Sequence, residues 1–168
     1  MFKYIKNQII NLVNKIPREQ PKEEFGEYFD NVYNTPEDIY KDIIKHLQYW
    51  LNKEEPRCKQ VKFKVTEPVY GNGGKIFSDR ILKVDIKVYI KDAHTGTIEF
   101  ELYDGAGWEE HEYYSVLKFA KDEYFISTHN DCYKAEDILN KMKDACHGIS
   151  KKISDQITLV EDLYKNTH

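Results

Sequence analysis

Several residue types are scarce in this chain, and each shortage closes off a class of protein. Cys58, Cys132 and Cys146 are odd in number, and none stands in a Cys-x-x-Cys pair, which argues against a disulfide framework and against a zinc knuckle. Arginine is nearly absent: only Arg18, Arg57 and Arg80 among 25 basic residues, few for bidentate recognition of phosphates or base edges. Long apolar runs are missing too. No stretch approaches the roughly 18 consecutive apolar residues of a membrane span. The opening segment is broken by Lys6, Asn7, Asn11 and Asn14, with no small-residue cleavage site behind it. The expectation is a soluble, cytoplasmic protein with no membrane partner.

What remains is ample for a core. The 168 residues are 40% hydrophobic and 32% charged, which fits one compact domain and excludes a disordered chain. Phe2, Ile5, Ile9, Leu12 and Ile16 recur at gaps of three and four and predict a first helix stopped by Pro17. Residues 18–34 read as a linker that docks through Phe25, Tyr28, Phe29 and Tyr33. Thr35, Pro36, Glu37 and Asp38 supply an N-cap, a proline at the first helical position and acids at the positive end of the dipole. A second helix with Ile39, Ile43, Leu47 and Trp50 or Leu51 on one face then runs to about Asn52.

After Pro56 the period changes from 3.6 to 2. Val61, Phe63 and Val65 mark one strand, and Leu82, Val84, Ile86, Val88 and Ile90 a second. Ile98, Phe100 and Leu102 mark a third, Glu112 to Phe119 forms a fourth, and Tyr124 to Thr128 a fifth. A loop over Asp92 to Gly96 is expected to set Tyr89 opposite Glu99 and Lys87 opposite Glu101, with Ile90/Ile98, Val88/Phe100 and Ile86/Leu102 paired on the dry side. A turn at Lys121-Asp122 is expected to pair Phe119 with Tyr124 and Leu117 with Ile126. Thr128 and Asp131 resemble a capping box ahead of a long helix striped by Ile138, Met142, Ala145, Ile149, Ile153, Ile157 and Val160, with Gly148 as a kink point.

The fold class expected is α+β: an antiparallel sheet of about five strands, preceded by two helices and covered by a long C-terminal helix. The divisions are 1–55 (helical), 59–128 (sheet) and 130–165 (helix). Either the last helix lies across the whole sheet or its distal half packs on the first helix or on a partner, and a homodimer is compatible with this.

Charge is distributed unevenly. Residues 61–98 balance at +3, while 99–137 balance at -8 and peak at Glu109-Glu110-His111-Glu112. Of these acids, Glu99 and Glu101 have Lys87 as an expected cross-strand neutraliser. An acidic end of the sheet repels phosphate and favours a basic partner, although a charge run is more often a solvated surface.

Several motifs bear on chemistry. Gly71-Asn72-Gly73-Gly74-Lys75 looks like a phosphate cradle, but Ile76 stands where a Walker loop has Ser or Thr, and strand rather than helix follows. It reads as a flexible connection. Trp108, Glu109, Glu110, His111, Glu112, Tyr113 and Tyr114 form the densest polar and aromatic run. On a strand Glu110 and Glu112 share one face, and Glu109, His111 and Tyr113 the other. Carboxylates flanking a histidine suit a divalent ion or an acid/base pair, completed by His129, Asp131 and Cys132 from the next strand; the plainer reading is a polar rim.

Adjacent Cys146 and His147 point about 100° apart on a helix, so they do not pair directly; Cys132 with His129 lacks a third group. His46 and His94 have no supporting cluster. Lys62, Lys64, Lys83, Lys87 and Lys91 with Tyr89 make a weak stacking platform that Glu99 and Glu101 spoil.

The favoured reading is therefore a small protein-binding module, an inhibitor or antagonist of a larger partner of the kind that immunity proteins represent. It acts through the rim from Trp108 to Tyr114, with Tyr103 and Tyr124 as further aromatics among the acids, needs no cofactor, and takes a protein partner with a basic surface. The alternative is a ligand-binding protein or hydrolase using Glu110, His111 and Glu112. The third is single-stranded nucleic-acid binding on the lysine strand.

Overall fold

The computed structural model describes residues 32–33, 35–72, 80–106, 111–128 and 134–167. The first helix expected over residues 2–16, and Phe25, Tyr28 and Phe29 of the linker, lie outside these residues.

Helix α1 spans Pro36–Glu54. Its start follows the expected chemistry: Thr35 is extended, its hydroxyl accepts from the Asp38 N–H, and the Asp38 carboxylate accepts from the Thr35 N–H at 3.2 Å. Ile39, Ile43, Leu47 and Leu51 are buried at intervals of four, so one stripe meets the core while Trp50 stands at its margin.

A 3-10 turn at Cys58–Gln60 leads into the sheet: β1 Val61–Val65, β2 Val69–Asn72, β3 Arg80–Ile90, β4 Ala93–Ala106, β5 His111–Phe119 and β6 Asp122–Ser127. All pairings are antiparallel. The order is β1-β3-β4-β5-β6, with β2 also on β3, beyond the end of β1. Helix α2, Ala135–Thr167, follows as one continuous 33-residue helix. The α+β arrangement and the long C-terminal helix are as expected.

Both hairpins correct the expected registers. Lys91 and Asp92 have φ of 51° and 64°, and Ala120 and Lys121 have φ of 50° and 70°. These are two-residue turns of the primed kind, which match the right-handed twist of the strands. The first hairpin therefore pairs Ile86 with Ile98 and Lys87 with Thr97. Each is four residues from the expected pairing, because β4 begins at Ala93 instead of after a loop. The second pairs Leu117 with Tyr124 and Phe119 with Asp122, a slip of two.

Both slips are even up to the bulges at Val88/Tyr89 and Ser115/Val116, so the core side chains keep their expected face; beyond the second bulge Ser127 is offset by one and pairs with the buried Ser115. Leu82, Val84, Ile86, Val88, Ile90, Ile98, Phe100, Leu102, Leu117 and Phe119 are buried in one core with the helix stripes. The strand Val69–Asn72 raises the count to six; Gly71 and Asn72, taken as loop residues from the sequence, are paired with Ile81 and Arg80. Gly96 sits opposite Val88, where a Cβ would come within 3.0 Å of the Phe119 ring. Its smallness serves close packing, not a turn.

On the helix side, α2 buries Ile138, Met142, Ala145, Cys146, Ile149, Ile153 and Ile157. Asp131, the second half of the expected capping box, lies outside the described residues. Thr128 is a bridge residue just after β6, and the helix starts seven positions later, at Ala135. Gly148 accepts the Tyr124 ring, where a Cβ would approach within 2.8 Å. Arg57, one of the three arginines, ties the helices together. Its Nη2 donates to Glu55 Oε1 at 2.7 Å and to Thr158 Oγ1 at 3.0 Å, and Nη1 lies 3.5 Å from Glu161. The Arg57 hydrogen bonds hold the buried Glu55 carboxyl below its usual range, against the opposing effect of burial. Beyond this latch Leu159 and Leu163 are each 63% exposed.

Candidate functional site

The helices lie on one face of the sheet, so the other face presents side chains outward, and the registers place them in rows. Lys62, Tyr89 and His94 make the first row, and Lys64, Lys87 and Thr97 the second. Asp85, Glu99, Lys118 and Glu123 follow. The next row is Val69, Lys83, Glu101, Val116 and Phe125, and Gly71, Ile81, Tyr103 and Tyr114 come last. The face thus grades from a basic corner, through an acidic middle, to an apolar and aromatic corner.

That last corner is built in detail. Tyr103 and Tyr114 are cross-strand neighbours with rings stacked at 5.2 Å between centroids. The Tyr114 hydroxyl donates to Glu101 Oε1 at 2.8 Å. Burial, and then the Glu101 carboxylate, push the Tyr114 phenol up to about 12. Lys118 lies 3.7 Å from Glu101 and 4.0 Å from Glu123. Val116 is 1% exposed on this outward side, between Glu101 and Phe125, while Phe125 itself is 49% exposed.

The structure places part of the expected rim here. Tyr114 belongs to it through the contacts above. His111, Glu112 and Tyr113 are strand residues of β5, paired with Ala106, Gly105 and Asp104. Trp108, Glu109 and Glu110 lie outside the described residues, in the connection between the paired residues Ala106 and His111. His129, Asp131 and Cys132, expected to complete a metal or acid/base site, lie outside them too. Among the described residues no group of three or more His, Cys, Asp or Glu side chains is placed to hold a metal ion.

Two electrostatic expectations are corrected. Lys87 faces Thr97 and neutralises neither Glu99 nor Glu101; Glu99 faces Asp85 on one side and Lys118 on the other. The lysine platform is interrupted as well. Asp85 stands between Lys83 and Lys87, and Lys91, in the turn, sets its ammonium 4.8 Å over the ring of Tyr164 on α2.

A second cluster, between α1 and α2, was not expected. The Tyr33 hydroxyl donates to Asp42 Oδ2 at 2.6 Å, and His46 Nε2 lies 3.2 Å from Asp42 Oδ1. Burial, reinforced by Asp42, pushes the Tyr33 phenol far above its ordinary range. His46 therefore does have a supporting group, and its i, i+4 spacing from Asp42 was the available signal. On the next turn Trp50 stacks on His147 at 3.7 Å between centroids, and His147 Nε2 lies 2.9 Å from Glu54 Oε1.

As expected, Cys146 and His147 do not pair. The Cys146 thiol is buried, donates to the Ile43 carbonyl at 3.7 Å, and is pushed up by its burial, the opposite of an activated nucleophile. No helix among the described residues is long and apolar enough to cross a membrane.

Compared with protein-family models, with curated proteins and with solved structures, the chain matches none of them.

Proposed function

We propose that the protein is a binding module that acts by covering the surface of a larger protein, as inhibitors and immunity proteins do. The contact surface is the aromatic and acidic corner of the open sheet face, and Trp108, Glu109 and Glu110, between β4 and β5 in the chain, are assigned to it from the sequence. The observation that carries this reading is the arrangement of that corner. A stacked Tyr103–Tyr114 pair, a buried Val116 and a half-exposed Phe125 adjoin Glu101, Glu99 and Glu123. Rigid aromatic anchors beside a charged rim are the anatomy of an interface whose affinity comes from the anchors and whose steering comes from the rim. The acids select a partner with a basic surface.

The test is an affinity capture from lysate of the native source, identified by mass spectrometry. It compares wild type, Tyr114→Ala, the triple change of Glu109, Glu110 and Glu112 to Gln, and a control in which Lys62, Lys64 and Lys87 become Gln. One dominant protein, held by wild type and by the lysine control but lost from the other two, is the expected result. Loss of an anchor of this kind weakens binding by about 2 kcal/mol or more. Equal retention by all four proteins, or no captured protein at all, would overturn the proposal.

A further inference from the structure

The groove between α1 and α2 has a different chemistry from the sheet face. It encloses a cavity of about 360 Å³ lined by Lys45, His46, Tyr49, Trp50 and Lys143. This volume is at the lower end of small-ligand pockets, roughly 300–1,000 Å³. The floor is aromatic and its surroundings are cationic. Tyr49 is 53% exposed, although its ring meets Trp50 edge-on at 5.1 Å. The Lys53 ammonium lies 5.7 Å over the Tyr49 ring and 5.3 Å over Trp50.

The α1 carboxylates on this side, Asp42 and Glu54, are already engaged. Asp42 is held by Tyr33 and His46, and Glu54 by His147. Lys45 and Lys143, one from each helix, form no ion pair among the described residues. A half-buried indole and an exposed phenol are thus set beside two ammonium groups that form no ion pair among the described residues. The His147 ring, itself fixed by Glu54, holds Trp50 in place from its other contact. Ordering costs that a ligand would otherwise bear are already met by the fold.

We propose that this groove is a binding site for a small planar anion, a single aromatic ring system carrying one phosphate or carboxylate. The ring lies against Trp50 and Tyr49, and the anionic group lies between Lys45 and Lys143. The positive potential of the lysines selects the charge, and the aromatic floor selects the planar body. The volume limits the ligand to about the size of a nucleoside monophosphate. This site is separate from the sheet corner and does not depend on it.

The chain has two tryptophans, so Trp108→Phe leaves Trp50 as the sole indole reporter. That variant is titrated with adenosine monophosphate, benzoate, adenosine and inorganic phosphate while Trp50 fluorescence is followed. The same titrations are repeated after Lys45→Gln and Lys143→Gln, both exposed positions, with circular dichroism confirming the fold. A saturable change with adenosine monophosphate is expected, weakened at least about tenfold by the double lysine change and by removal of the phosphate. Benzoate binding as well marks a general ring-plus-anion site, and binding of the nucleotide alone marks a phosphate site; both uphold the proposal. No saturable response to either ringed anion up to about 10 mM would overturn it. So would equal affinity in the lysine variant, or inorganic phosphate binding as tightly as the nucleotide.

Discussion

The two faces of the one sheet are made from the same strands, residue by residue in alternation, yet they do different work. The inner face is apolar apart from the hydrogen-bonded Ser115–Ser127 pair. Leu82, Val84, Ile86, Val88 and Ile90 of β3 are all at or near zero exposure, and the helix stripes of α1 and α2 close over them. The outer face is graded, from Lys62, Lys64 and Lys87 at one corner to Tyr103, Tyr114 and Phe125 at the other. Burial rewards any apolar side chain of suitable volume, so the inner face tolerates exchange of one aliphatic residue for another. Apart from Val116 and the part-buried Tyr114, the outer face gains little from burial, and its pattern matters through which neighbours the pairing brings together.

The largest effect expected to separate the two faces is on stability. Phe100→Ala removes the largest fully buried side chain and leaves a cavity, at an expected cost of about 3–5 kcal/mol. Lys87→Ala, on the opposite face of the neighbouring strand, should change stability by no more than about 0.5 kcal/mol. Denaturant unfolding of both variants measures the difference; similar losses would mean that the outer face is also a core.

A smaller effect tests the turns that set both faces in register. Ala120 has a φ of 50°, a region where a Cβ is strained. Ala120→Gly should therefore stabilise the protein by about 0.5–1 kcal/mol after allowing for the extra freedom of glycine in the unfolded chain. A destabilising result would show that this turn is not left-handed in solution.

The smallest effect is confined to the outer face. The Tyr114 phenol titrates at about 12 in the folded protein, against about 10 for an unfolded tyrosine. A folded value raised above the unfolded one gives stability that is fully present below about pH 10 and is lost as the pH rises through about 12. In Glu101→Gln the midpoint should fall, but only partway, because burial is the larger cause of the shift. Carbon NMR of the tyrosine Cζ resonances follows this directly. An unchanged midpoint would break the Tyr114–Glu101 link at the centre of the proposed contact corner.

The expected registers failed for a specific reason. Neither turn pair, Lys91-Asp92 nor Ala120-Lys121, contains the glycine that usually announces a two-residue hairpin, although both adopt its left-handed backbone. The nearby Gly96 drew the loop towards itself, yet it is a strand residue kept small by Phe119. The capping signal at Thr35 and Asp38 is used in full, whereas the last helix starts at Ala135, seven positions after the Thr128 from which the sequence would begin it. The candidate corner was legible through Tyr103 and Tyr114; Tyr124, read with them, instead turns to α2 and packs at Gly148. The corner's other residues Glu101, Lys118 and Phe125 come from strands whose alignment depends on the turns.

What the sequence by itself determined is most of the described elements, β2 excepted, and the face their core residues take: the stripes of α1 and α2, and the period-2 sorting of β1, β3, β4 and β5. These are local properties, and a register slip of two or four residues leaves them untouched. What only the tertiary structure decided is which outward residues are neighbours, and that Asp42 meets Tyr33 and Trp50 meets His147. Burial acts on each side chain singly and cannot distinguish one even register from another. That choice falls to turn geometry and to contacts between residues far apart in the chain.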